Sequence, residues 1–118
     1  AAGAIGSDTG GSVRIPAAWN DLVGLKTTAS RVSVQGVVPL CATFDTVGLL
    51  SKTVEDAALL LAALEGRTPA DLTASSLRGK RLGVLQTVAF DELREAPALG
   101  FETALAKVIL SGAMFSYL

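Results

Sequence analysis

The sequence predicts an α/β layered fold, read as part of a larger domain rather than a complete small one. Three observations carry this. The second half alternates helical and extended patterns: helix, strand, helix, strand. Half of the 118 residues are hydrophobic and the mean hydropathy is +0.50, high for a chain of this length that must cover itself with polar surface. The chain opens within Ala1-Ala2-Gly3-Ala4-Ile5 and stops at Met114-Phe115-Ser116-Tyr117-Leu118, apolar at both ends, so an internal fragment is expected.

The elements follow in order. Ala1 to Ile5 is small and apolar and suits a helix end or a buried strand. Gly6 to Ser12 reads as a glycine-rich loop, and Pro16 opens a short turn or helix through Trp19. Leu22-Val23-Gly24-Leu25 is a short strand pattern. Thr27 to Gln35 is polar and β-branched and reads as loop with short extended pieces; Gly36-Val37-Val38-Pro39 is a further extended piece closed by proline. Val47 to Leu50 is a strand leading into the clearest helix.

That helix has Thr53 as N-cap, with Asp56 three residues on resembling a capping box, and Glu55 and Asp56 at the positive end of the helix dipole. Its body, Ala57 to Leu64, is apolar all round and predicts burial on most sides; Gly66 stands where a C-cap belongs. Arg67 to Ser76, with Pro69, is connector. Lys80 to Leu85 is a charged lead into a buried strand, Asp91 to Leu110 is helical with a break or start at Pro97, and Gly112 to Leu118 begins another strand. The expected division is 1–66, glycine-rich loop and buried helix; 67–79, connector; 80–118, strand–helix continuation.

Composition narrows function. Ten Lys and Arg balance eleven Asp and Glu for a net charge of −1, with no basic stripe for nucleic acid. No apolar run spans a membrane. A single cysteine, Cys41, forbids an internal disulfide and suits a reducing, cytoplasmic location. The chain has no histidine, which excludes Ser-His-Asp and Cys-His mechanisms within it and removes the commonest metal ligand. No metal and no cofactor are expected.

The chemistry concentrates in Gly6-Ser7-Asp8-Thr9-Gly10-Gly11-Ser12-Val13-Arg14-Ile15-Pro16. Two glycines before a serine free the backbone and admit a substrate close to the main chain. Successive amides from Thr9, Gly10, Gly11 and Ser12 then suit an anion or the oxyanion of a tetrahedral intermediate, with the Ser12 hydroxyl placed to attack. Asp8 and Arg14 flank the loop with opposite charges, and a pair between them would pin it. A phosphate-binding P-loop is excluded because Gly11 stands where its lysine belongs, and the glycine spacing does not fit a dinucleotide fingerprint. On residues alone, a simple glycine-rich turn is the favoured explanation of the segment.

The segment Gly6 to Ala17 resembles the second half of the amidase-signature motif. The likeness continues through Leu22-Val23-Gly24-Leu25-Lys26, Gly36-Val37-Val38-Pro39, Phe44-Asp45-Thr46-Val47-Gly48 and Ser51 to Leu61, and again at Leu77 to Val84. It is close over about residues 1–85 and looser beyond. The resemblance implies a fragment of the amidase-signature fold, a mixed β-sheet core flanked by α-helices, and a Ser-cisSer-Lys triad. It makes Ser12 the acylated nucleophile, Thr9, Gly10 and Gly11 the oxyanion loop, and Asp8 and Arg14 the pair framing it. The bridging serine and the lysine belong to upstream stretches that this chain does not contain, and none of Lys26, Lys52, Lys80 or Lys107 matches the lysine's context. The fragment alone is therefore expected to be inactive.

Some positions depart from the family pattern: Trp19-Asn20-Asp21, Thr27 after Lys26, and Leu49 after Gly48. They leave subfamily and substrate open. Ile109 to Leu118 matches poorly, as a frameshift or truncation would produce. Cys41 is read as a packed small hydrophobe, Trp19 as core, Asp91, Glu92 and Glu95 as a solvated helix start, and Ser75-Ser76 as linker. Two functions follow: an amide (C–N) hydrolase acting on a small-molecule amide, with the A subunit of a tRNA-dependent amidotransferase as its variant, or a non-catalytic remnant. Homo-oligomer and amidotransferase partner subunits both stay open.

Overall fold

The computed structural model describes residues 1–118, which divide into two units, Ala1–Leu72 and Thr73–Leu118. No helix is long and apolar enough to cross a membrane.

The first unit is built on a three-stranded antiparallel sheet in the order β1-β3-β2, with β1 at Gly3–Asp8, β2 at Val23–Lys26 and β3 at Thr46–Ser51. Gly6 lies opposite Gly48 and Asp8 opposite Thr46; Leu25 lies opposite Leu49 on the other edge. Side chains alternate between faces along a strand. On the face that carries Asp8, Gly6, Gly48 and Gly24 leave a bare patch, and the short helix α1, Arg14–Trp19, comes down on it. A methyl group at Gly6 or Gly48 would lie 3.1 Å from Val13 Cγ2, and one at Gly24 would lie 2.7 Å from Ala17 Cβ and 3.1 Å from Arg14 Cα. Val13 and Ala17 are accordingly buried against the sheet. The opposite face, that of Val47, Leu49 and Ser51, takes the second helix, α2, Val54–Glu65.

Helix α2 has the ends its sequence dictates. The Thr53 side chain accepts the Asp56 amide at 3.0 Å, and Gly66 closes the helix with φ of 63°. Burial on most sides is not observed. Only Ala57 and Ala62 are buried and Leu59 is more than half exposed, because the sheet covers a single face of the helix. At its C-terminal end Arg31 Nε donates to Glu65 at 2.5 Å, tying the polar loop to the helix. Arg31 holds the Glu65 carboxyl below its ordinary range.

Three further expectations are corrected. Gly6, Ser7 and Asp8 belong to β1 rather than to a loop, because pairing with Thr46, Val47 and Gly48 continues to the last residue before the turn. Gly36 to Pro39 is not extended: Val37 N donates to Val34 O at 3.0 Å across a turn in which Gly36 takes a φ of 84°. Trp19 is no core residue; it is 81% exposed on the last turn of α1.

The second unit is a strand–helix–strand crossover. Strand β4, Arg81–Val84, runs parallel to β5, Met114–Tyr117, with helix α3, Glu95–Leu110, between them. Pro97 sits in the first turn of α3, where an amide has no intrahelical partner to lose. A short 3₁₀ turn at Val88–Phe90 brings Phe90 edge-on to Phe101, with ring centroids 5.3 Å apart. The expected strand at Lys80–Leu85 forms, but of β4 only Val84 is buried.

Candidate active site

The site is the turn between β1 and α1. Strand β1 ends on Asp8, whose side chain is fully buried. The chain then reverses over Thr9 to Val13 and enters α1 at Arg14. Gly11 sits at φ of 126°, a backbone state that residues with a Cβ rarely adopt, and a Cβ there would also press on Ile15 Cδ1 at 2.7 Å. Gly10 differs: a Cβ there would meet nothing within 4 Å, so its side of the turn is open.

The N-terminus of α1 lacks a local side-chain cap. Asp8 serves instead, reaching over from the strand end. Its Oδ1 accepts the Gly11 amide at 2.8 Å, and its Oδ2 accepts the amides of Val13 at 3.2 Å and Arg14 at 3.4 Å. Arg14 folds back over the same carboxylate, Nε to Oδ2 at 3.1 Å and Nη2 to Oδ1 at 3.0 Å, a two-point pair. Chiefly through Arg14, and against the opposing effect of burial, the Asp8 carboxyl is held far below its ordinary 3.8. One buried carboxylate thus fixes residues 11, 13 and 14 together. Asp8 takes nothing from the amides of Gly10 or Ser12, which leaves them available to another acceptor.

Ser12 is exposed between buried Gly11 and Val13. Thr9, Gly10, Gly11 and Ser12 are brought together at the head of α1, with Asp8 buried beneath them and paired to the half-exposed Arg14. The Gly11 amide, counted from sequence among the oxyanion donors, is instead engaged by Asp8. Of the four lysines, Lys26 donates its ammonium to the Thr27 carbonyl at 2.6 Å.

Sequence reasoning assigns no role to Asp45. It is buried at the start of β3, and its Oδ2 accepts the amides of Leu40 at 2.9 Å and Cys41 at 3.0 Å. Its Oδ1 accepts the Thr9 hydroxyl, 36 residues away in the chain. Thr9 first, then the two amides, pull the Asp45 carboxyl below its ordinary range against the effect of burial. The one sequence signal is an acid at the head of an apolar strand pattern, Phe44-Asp45-Thr46-Val47, where an uncharged residue would bury more easily. Cys41 is half-buried, and its amide serves that same turn.

A family model described as Amidase matches residues 1–115. The chain is 40% identical over 112 residues to 2-amino-5-chloromuconic acid deaminase of Comamonas testosteroni, covering 93% of this chain and 24% of that protein. It is 38% identical over 124 residues to the A subunit of glutamyl-tRNA(Gln) amidotransferase from Chlorobium phaeobacteroides, covering 93% and 26%. Among solved structures, the A subunit of glutamyl-tRNA(Gln) amidotransferase from Thermotoga maritima superposes with a TM-score of 0.88 at 29% identity, over 99% of this chain and 28% of that one. The native peptide amidase of Stenotrophomonas maltophilia superposes with a TM-score of 0.81 at 37% identity, over 100% and 27%. The chain therefore spans about a quarter of the length of these relatives.

Proposed function

This chain belongs to the amidase family, and from that premise we propose that it carries the acyl-accepting serine, Ser12, of an amide (C–N) bond hydrolase. The observation that supports this most is the exposed Ser12 hydroxyl at the head of a turn whose backbone is anchored from below by the fully buried Asp8. An exposed serine on a mobile loop would lose in entropy what it gained in access; here the ordering is done before substrate arrives.

In this reading Ser12 Oγ attacks the amide carbonyl carbon, and the carbonyl π electrons move to oxygen. The oxyanion forms over the turn, where the amides of Gly10 and Ser12 are the donors that Asp8 does not take; Thr9 completes the loop. Collapse expels the protonated amine and leaves an ester on Ser12, which water then hydrolyses. Gly11 contributes through its backbone shape and its bond to Asp8, and Arg14 through the same carboxylate. The serine proton needs a base. The amidase-signature resemblance implies that this base is a neutral lysine acting through a bridging serine, and none of Lys26, Lys52, Lys80 or Lys107 matches that lysine's context.

Fluorophosphonate labelling tests the reading. The full-length polypeptide containing this chain should label at Ser12, and Ser12→Ala should abolish both labelling and amide hydrolysis. The isolated 118 residues, without a base, should do neither. Absence of labelling in the full-length protein would favour the non-catalytic remnant. Several relatives are amidotransferase A subunits, which supports a second reading of the same site as the glutaminase half of a tRNA-dependent amidotransferase. Glutamine hydrolysis that rises on adding partner subunits would select it.

A further inference from the structure

We propose that Asp45 is a positioning residue for acyl transfer, fixing through the Thr9 hydroxyl the point where the Ser12 turn leaves β1. This rests on the reading of Ser12 as nucleophile.

The bonding of the two carboxylate oxygens carries the argument. Asp45 needs only Oδ2 to hold its own turn, since that oxygen takes both the Leu40 and the Cys41 amides. A carboxylate with a local role would leave Oδ1 to water. Instead Asp45 is nine-tenths buried, and Oδ1 is bound to Thr9 across the site. Thr9, at the near end of the turn, makes no bond to the Asp8 carboxylate. Asp8 grips the far side of the turn, at residues 11, 13 and 14. The Thr9 side chain is gripped by Asp45. Between these anchors stands only Gly10, whose surroundings are open and which would not by itself resist rotation of the 9–10 and 10–11 peptides. Without the Thr9 anchor, the Gly10 amide would wander from the developing oxyanion. The ground-state amide, which depends less on that donor, would bind nearly as before.

The test uses the full-length polypeptide that contains this chain. Thr9→Val keeps shape and β-branching but removes the hydroxyl, while leaving Asp45 able to hold Leu40 and Cys41. We expect kcat to fall about 10- to 100-fold, as a displacement of order 1 Å in an active site does, with KM changed less than about threefold. Thr9→Ser, which restores a hydroxyl, should recover most of the loss. Asp45→Ala should lower kcat similarly, and the double variant Thr9→Val/Asp45→Ala should be no worse than the more impaired single one, the mark of two residues acting through one bond. A Thr9→Val enzyme within about twofold of wild-type kcat, or losses that multiply in the double variant, would overturn the proposal. If Asp45→Ala does not fold, the Thr9→Val and Thr9→Ser pair decides alone. Ser12→Ala separates the two ideas. A dead Ser12→Ala beside a fully active Thr9→Val removes only the role of Asp45; an active Ser12→Ala removes the nucleophile reading and this inference with it.

Discussion

The two units of the molecule bury different things. In Ala1–Leu72 the buried set includes Asp8, Thr27, Asp45, Thr46 and Ser51, and every one has a partner: Asp8 and Asp45 as described, Thr27 Oγ1 donating to Val47 O at 2.6 Å, Thr46 Oγ1 to Asp8 O at 2.9 Å, Ser51 Oγ to Thr53 O at 2.8 Å. In Thr73–Leu118 the buried residues are Val84 and Ala113, and no polar side chain joins them. Burying a charge is costly unless it is paired and hydrogen-bonded, so a fold that needed only cohesion would avoid it. The second unit does avoid it. The first places two carboxylates under one turn, and what they deliver is a backbone held in one shape. Buried polar groups here mark where geometry matters more than cohesion.

The largest effect should come from the turn itself. Ser12→Ala in the full-length protein should lower kcat on the order of 10⁴-fold or more with little change in the thermal midpoint, since the residue is exposed. Steady-state kinetics beside calorimetry separates the two. A variant that kept its activity would break the contrast between the units at its root.

Next comes Asp8. Asp8→Ala leaves the Gly11 and Val13 amides without their acceptor, while the half-exposed Arg14 guanidinium can turn to water, and should cost about 1–3 kcal/mol, read as a lower denaturant midpoint. The same carboxylate gives a pH signature. Its folded-state value lies below its ordinary 3.8, so its contribution is fully present above about pH 4 and is lost as pH falls through the folded value. Stability measured between pH 5 and about pH 2 should fall for the wild type, and the slope should be shallower in Asp8→Ala. An identical slope would mean that other acids dominate.

Smaller, and sharper, is the pair of adjacent glycines. Gly11→Ala is strained at φ of 126° and crowded by Ile15, so it should lose stability by at least about 1 kcal/mol. Gly10→Ala meets no protein atom within 4 Å. It should leave the thermal midpoint nearly unchanged and lower kcat/KM roughly tenfold, because its methyl group intrudes where a substrate would lie. Equal stability losses at both positions would show that the open side of Gly10 is filled by protein. The smallest effect belongs to the second unit. Phe101→Leu removes an edge-on contact with Phe90, worth about 1 kcal/mol, and should lower the denaturant midpoint accordingly. An unchanged midpoint would show that the ring pair contributes nothing to cohesion.

Much of the fold is legible in the sequence because its signals are local. Thr53 and Gly66 bracket α2 through bonds to residues three or four positions away, and the apolar run at Val47–Leu50 and the charged lead into Leu82–Leu85 need only their own pattern to read as strands. The failures concern what lies across space. Nothing near Gly6 reveals that it is paired with Gly48, and so a reading of the residues alone cuts the strand short in favour of a loop. The leucines of α2 show that the helix is apolar, not how many neighbours cover it. Within the site, the Gly10-Gly11-Ser12 turn is visible because glycine and serine announce backbone freedom and a hydroxyl. Asp45 is not, since its partner Thr9 is 36 residues away and an isolated acid beside a strand has many explanations.

The bare patch of Gly6, Gly24 and Gly48 carries a last consequence. The depth at which α1 sits over the sheet is specified by subtraction: where a methyl is missing, Val13 and Ala17 descend, and Ser12, next to Val13, is carried with them. A methyl at Gly48 would stand 2.8 Å from Leu25 O and 3.1 Å from Val13, lifting the helix as a shim lifts a hinge. A Gly48→Ala change would therefore act on the Ser12 turn from the sheet beneath it, although it adds no functional group.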